Sequence, residues 1–591
     1  MQLLTARADG FEPVPRADNA FWRDSIPVAM RASYIRYGEQ YAGRPWTTLP
    51  WTVFAENKLT GNRVNYEQLC FEKRRRLAAL VMAEVMEGEG RFMPDIIDGL
   101  GAFCEETWWG IPAHYNKPVP RTEQQEVDLF NAETASLVAW TAYMLKARLD
   151  AFAPEVCQRV GQELKRRMLD PALTKNYWWK TAGMNWNPWI SSNWLACVLL
   201  SEQDEARRQQ AISEIEKSLQ AFVDAYPDDG GCDEGPGYWD RAAASLFEAV
   251  SLLQTAGCGD VPYREKMGRM GAYIYKVYIG NGYCVNFADA HDNKALLQTN
   301  IVYPFGRYMN DRTMCRLAAY IGRQQGIADN PAALYDRSGN WPTLGRELLF
   351  LRHINDFLRE VPQEPQLADV WLPDLQVMTA RRGPLFVAMK GGHNDESHNH
   401  NDVGSFVVYA DGEPLLIDVG VGEYTAKTFG RNRYDIWTMQ SQYHNLPLVN
   451  GVGQKAGRQY AAKVVGYGKG RLTLDIAGAY PEEAAVASWR RTVAAKKQCV
   501  EVTEDYRLTS CKQPTQLVLM TTCEPVVERD GAIRLGHRRL AYDAQALHAS
   551  VEPLDQLMDS LLRGVWGDKM FRILLTVKGL KTKNQIKYNI R

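Results

Sequence analysis

The sequence predicts an α+β chain in two parts. Helices wound into a ring, an (α/α) toroid, occupy residues 1–365, with residues 1–50 as an N-terminal arm; an antiparallel β-sandwich follows over 366–591. Three observations carry this expectation. The 591 residues exceed what one hydrophobic core organises. From about 64 to 360 the apolar residues recur at helical spacing. Beyond Pro362 and Pro365 the spacing shortens to the alternation of strands.

In the first part, Tyr66, Leu69 and Phe71 lead into Leu77, Leu80, Val81 and Val85, and Leu137, Trp140, Thr141, Met144 and Leu145 form a second i, i+3, i+4 stripe. Segments near 154–169, 205–225, 238–256, 261–279 and 312–326 repeat the pattern. Long helices joined by short loops predict antiparallel helix pairs wound into a ring or a solenoid, although no sequence repeat marks the period. In the second part, 377–380, 385–389, 403–409 and 415–418 are short, β-rich and separated by turn residues. Asp411-Gly412 reads as a hairpin turn. Strands at 472–476, 516–522 and 571–577 continue the sandwich, and the seam falls within 362–376.

Composition narrows the function. Lys and Arg number 69 against 70 Asp and Glu, a net charge of −1, so a general nucleic-acid binder is excluded and an anionic ligand needs a local basic patch. No run of 18 apolar residues predicts a membrane span, and the first twenty residues lack the pattern of a secretory signal. With scattered cysteines, this predicts a cytoplasmic chain, or a secreted or periplasmic one whose signal has been removed. Seventeen tryptophans, many before residue 240, suit either a packed helical core or a sugar-binding surface.

The chemistry concentrates in one window. Four of the nine histidines, His393, His398, His400 and His444, lie within 393–444, where the chain-wide frequency predicts fewer than one. If Ser397–Asp402 is extended, His398 and His400 point to one face. Asp418 ends the next strand, one hairpin away, and His444 follows in a loop. Two imidazoles and a carboxylate from separate segments suit a zinc-type site; a hydrogen-bonded polar cluster without an ion is the alternative.

On these residues, His398-Asn-His400-Asn-Asp-Val-Gly-Ser-Phe, Leu-Ile-Asp418 and His444-Asn, the chain resembles the heparinase II/III-like polysaccharide lyases, a likeness that spans most of its length. The resemblance implies one structural divalent ion, zinc, on His400, Asp418 and His444, with His398 facing the substrate. Gly230-Gly-Cys-Asp-Glu234-Gly-Pro-Gly-Tyr238-Trp resembles the family's glycine-rich segment and implies Tyr238 as the catalytic tyrosine. Read alone, Tyr238 is an aromatic in the first turn of a helix. Asn185-Trp186-Asn187 stands where relatives carry Asn-His, so Asn185, with Asn187 its rival, is implied to neutralise a uronate carboxylate, and the histidine is replaced by Trp186. Read alone, each asparagine is an N-cap or loop residue. Tyr434 is a second candidate tyrosine. Trp186, Asn187, Glu234, Arg431 and Arg433 complete the substrate-binding candidates.

The expected reaction is β-elimination on an acidic polysaccharide containing uronic acid, such as hyaluronan, chondroitin, heparan sulfate or alginate. Two alternatives stay open. A glycoside hydrolase would use a carboxylate pair from Asp233, Glu234, Asp240, Asp289 or Asp292. A silent carbohydrate-binding homologue would use none.

Overall fold

The computed structural model describes residues 11–123, 125–290, 298–330, 343–425 and 427–591. The chain divides into two compact units: Met1–Tyr226, Asp240–Gly271 and Leu296–Glu364 form the first, and Pro227–Trp239, Ala272–Ala295 and Pro365–Arg591 the second. The seam is therefore not a single cut. Two stretches from the helical half of the sequence, one carrying Tyr238, cluster with the β unit.

In the helical unit, side-chain caps start the long helices. Asp128 accepts from the Asn131 N–H at the head of Leu129–Phe152, Asp204 from Arg207 at Glu205–Ala225, and Asp311 from Met314 at Arg312–Gln324. Five helices pack in chain order, Leu129–Phe152, Trp186–Ser201, Ala243–Thr255, Thr299–Met309 and Leu344–Leu351, and the last returns to the first. Gly345 makes that return possible, because a Cβ there would collide with the Trp140 ring. The Val64–Glu87, Glu205–Ala225 and Arg312–Gln324 helices back this circuit. Its interior is Ala, Leu, Val and Trp, with Trp194 and Trp179 fully buried. No helix among the described residues is long and apolar enough to cross a membrane.

The β unit is antiparallel throughout its named strands. Asp369–Leu372, Val377–Arg382, Leu385–Lys390, Phe406–Ala410 and Glu413–Leu416 form a five-stranded meander. Asp411 and Gly412 both take positive φ, 55° and 80°, as a two-residue hairpin turn of the primed type requires. An eight-stranded sheet runs from Lys463–Tyr467 to Pro525–Glu528 with the C-terminal Lys583–Ile590 strand inside it, and a four-stranded sheet is built on Phe571–Val577. Val500–Leu508 buries every second residue, as a strand with one face on a core must. One core joins the three sheets through Val387, Phe406, Leu474, Trp489, Val502, Leu519 and Ile573. A second cluster, Ile417, Val419, Met520, Met570 and Leu574, fixes the strand end that carries Asp418.

Candidate active site and metal centre

The segments borrowed from the helical half are pinned to the β unit by hydrogen bonds. Asp229 accepts from the backbone N–H groups of Gly231 at 2.7 Å, Asp374 at 2.8 Å and Leu375 at 3.1 Å. Arg381 donates to the carbonyl of Tyr278, and Asn286 Nδ2 to that of Asp418 at 3.0 Å. Gly235 has φ +87°, and a Cβ there would lie 2.7 Å from the Phe287 carbonyl oxygen. The chain then enters the single turn Pro236–Trp239, which presents Tyr238.

The histidine loop is not the extended segment that its spacing suggests. His398 has φ +56°, a left-handed conformation unusual for a side chain of this size. The two imidazoles nonetheless converge, because a turn brings them to opposite oxygens of one buried carboxylate. His398 Nδ1 lies 2.9 Å from Asp289 Oδ2, and His400 Nε2 lies 2.9 Å from Asp289 Oδ1. Lys390 holds the loop at both ends, 2.9 Å from Glu396 and 2.8 Å from Asp402. Burial opposes its charge, but the two carboxylates outweigh that and hold its pKa above the ordinary lysine range.

Tyr238 stacks on the His398 ring, centroids 4.4 Å apart with 30° between the planes. Its hydroxyl lies 2.6 Å from that of Tyr424. Tyr424 Oη reaches Asp289 Oδ2 at 3.4 Å. Burial foremost, then the negative neighbours, push the Tyr424 phenol well above its ordinary pKa, so it remains a donor at neutral pH. Asp289 is the reverse: burial opposes its charge, yet the His398 and His400 hydrogen bonds and the Arg433 guanidinium hold it well below the carboxylate range. Exposed Phe429 flanks both the His398 and Tyr424 rings.

His400, Asp418 and His444 each offer a ligand atom within 4.8 Å of the others, and all three are buried. The donor set fits a divalent ion. His400 Nδ1 is buried without a partner, because its other nitrogen is taken by Asp289. His444 Nε2 is fixed by the Thr438 carbonyl at 3.0 Å, leaving Nδ1 beside Asp418 Oδ2, also at 3.0 Å. Outer acceptors that hold one imidazole nitrogen and free the other are the usual support of a histidine–metal bond. Two imidazole nitrogens and one carboxylate oxygen suit zinc.

Other expected site residues are placed differently. Arg433 is not free for a substrate: it donates to Asp289 at 2.6 Å and to the carbonyls of Asn399 and Thr428, which consumes its fork. Arg431 is exposed. The Tyr434 hydroxyl accepts from Asn399 Nδ2 at 3.0 Å, and the tyrosine joined to Tyr238 is instead Tyr424. Glu234 is buried in the β unit. In the helical unit, Asn187 is a core residue: its amide donates to the carbonyls of Lys180, Ala182 and Ser218, and its oxygen accepts from the Ser218 hydroxyl, so it has no capacity left for a carboxylate. Asn185 is buried in the N-cap position of Trp186–Ser201. Trp186 packs against His114 and exposed Trp178. Of the hydrolase carboxylates, Asp240 lies beside Arg241 and Arg346 in the helical unit, Asp289 is saturated with donors, and Asp292 lies outside the described residues.

Comparison with known proteins accords with this layout. The family model Heparinase II/III-like, C-terminal, matches residues 365–507. The fold is that of the heparinase II/III-like lyases. A crystal structure of heparinase III superposes with a TM-score of 0.65 at 14% identity, covering 99% of this chain and 88% of its own. Heparan sulfate lyase HepC from Pedobacter heparinus gives 0.55 at 13% identity, covering 100% and 91%. Chondroitin AC lyase of Streptomyces coelicolor A3, in complex with chondroitin sulphate, gives 0.54 at 12%, covering 95% and 82%. No curated protein matches the sequence. The helical circuit is thus an (α/α) toroid and the β unit the sandwich. Asp289 and Tyr424 are the site residues that sequence reasoning missed. Asp289 is visible in the sequence only as one carboxylate among several, and Tyr424 has no motif.

Proposed function

We propose that this chain is a polysaccharide lyase that cleaves a uronate-containing acidic polysaccharide by β-elimination. The observation that carries the reading is the Tyr238–His398 stack, 4.4 Å between centroids, with Tyr424 at hydrogen-bond distance from the Tyr238 hydroxyl. The family match and the structural likeness to heparinase III and chondroitin AC lyase support it.

In the reaction a base removes the C5 proton α to the uronate carboxylate, the C4–O4 bond breaks, a C4=C5 double bond forms, and an acid protonates the departing O4. Ionising a free phenol of pKa about 10 at pH 7 costs about 4 kcal/mol. A donor held on the phenol oxygen lowers that cost, and Tyr424 supplies one to Tyr238. Tyr238 then serves as proton donor to O4, and as C5 base when ionised. His398, held through Nδ1, offers Nε2 to the substrate. His400, Asp418 and His444 would hold zinc in a structural role, ordering the loops around His398.

The test is a panel of heparan sulfate, hyaluronan, chondroitin and alginate, followed by ultraviolet absorbance of the unsaturated product and by reducing-end release. New absorbance with each chain end supports the lyase. Reducing ends without absorbance would assign a hydrolase instead, and neither signal a binding protein.

A further inference from the structure

One buried carboxylate stands between the two imidazoles on which the lyase reading depends. Asp289 is fully buried. Its Oδ1 accepts from His400 Nε2 at 2.9 Å and Arg433 Nη2 at 2.6 Å. Its Oδ2 faces His398 Nδ1 at 2.9 Å and Tyr424 Oη at 3.4 Å. Asp289 is far from all four in sequence, and the residue before it, Ala288, has φ +66°. His398 is in the left-handed region as well. Two strained positions meeting at one carboxylate indicate a geometry imposed by their surroundings.

An ionised carboxylate accepts hydrogen bonds and donates none, so each imidazole must present an N–H to it. That places the proton of His398 on Nδ1 and leaves Nε2 for other partners. It places the proton of His400 on Nε2 and leaves Nδ1, the buried and unpartnered atom, for a metal. Arg433 balances the charge and orients the carboxylate plane.

We propose that Asp289 is a positioning residue that sets the tautomer and orientation of His398 and His400 together, so that the metal centre and the reacting imidazole are held by the same group. The inference rests on the lyase and metal reading above. It predicts that loss of the carboxylate weakens zinc binding and slows turnover at once, without weakening substrate binding.

The experiment compares the full-length chain with Asp289→Asn, whose side chain keeps one acceptor and gains a donor. Zinc affinity is measured by chelator competition on the metal-stripped chains, and kcat and KM on the most active polysaccharide. The expected result is a zinc affinity and a kcat each lower by about 10- to 100-fold, with KM within about twofold. In a His398→Ala background, the same substitution should lower kcat by no more than a further twofold or so, because the residue acts through His398. If Asp289→Asn fails to fold, Asp289→Glu, which keeps the charge but displaces it by one methylene, should lower both quantities in the same way. Wild-type zinc affinity and kcat in a folded variant overturn the inference, and so does a loss in only one of them. A wild-type chain that makes no unsaturated product removes the lyase reading, and the zinc comparison then decides the His400 half alone.

Discussion

Two buried carboxylates, one in each unit, meet arginine and end in opposite electrostatic states. Asp289 in the β unit receives three strong hydrogen bonds, from two imidazoles and a guanidinium, and its Oδ2 lies 3.4 Å from the Tyr424 hydroxyl oxygen. Glu133 in the toroid has Arg241 at 3.0 Å and Trp189 Nε1 at 2.7 Å, both on Oε1, while Oε2 is buried without a partner. Burial opposes the charge in both. It loses at Asp289, whose pKa falls well below the ordinary range, and wins at Glu133, whose pKa rises to about 7. The difference lies in donors per oxygen, not in depth. A carboxylate with both oxygens served acts as a fixed anion around which imidazoles can be oriented. One served on a single side takes up a proton.

The largest expected effect lies on the Asp289 side. Tyr238→Phe should fold and cut kcat by about a thousandfold, within the range of lost acid–base catalysis, read from unsaturated-product formation. A variant that keeps most of its activity would remove Tyr238 from the chemistry. On the Glu133 side the effect is on stability: Glu133→Ala removes the acceptor of both Arg241 and Trp189 and should cost about 2 kcal/mol, seen in chemical denaturation of the toroid. A change below about 0.5 kcal/mol would show that solvent or Asp240 replaces it.

The sign of the pH response sharpens the contrast. Glu133 has its folded pKa raised to about 7 from an ordinary 4.5, so its contribution to stability is complete below pH 4.5 and is lost as the pH climbs to 7. At about 1.36 kcal/mol per unit the loss reaches about 3 kcal/mol. Glu133→Gln, which keeps the acceptor for Trp189 and Arg241, should match the wild type below pH 4.5 and exceed it increasingly up to pH 7. A difference in melting temperature that stays constant with pH would contradict this. The smallest effects separate the tyrosines: Tyr424→Phe should lower kcat about tenfold through the lost hydrogen bond to Tyr238, whereas Tyr434→Phe, whose hydroxyl meets Asn399, should stay within about twofold. Equal losses would place Tyr434 in the site after all.

What the sequence made legible was local. The strand texture after residue 365, the Asp411-Gly412 hairpin and the spacing of His400, Asp418 and His444 are short-range signals, and the structure places those groups together. The convergence of His398 and His400 was anticipated, but by extended backbone, whereas a left-handed turn achieves it. Asp289 and Tyr424 meet His398 and Tyr238 over separations of more than a hundred residues, a pairing no periodicity encodes. Arg433 looked like a substrate contact because a sequence records charge and not the acceptors that consume it. Asn187 was misread for the same reason: an amide beside a tryptophan-rich loop proved to be a core crosslink.

The contact at Gly235 has a consequence of its own. There the backbone carrying the phenol rests on the backbone carrying the carboxylate, with room for a hydrogen and none for a methyl group. The spacing between the Tyr238 phenol and the Asp289 carboxylate is thereby set by the close approach of two main chains. One added carbon would move both groups off register while leaving their side chains unchanged.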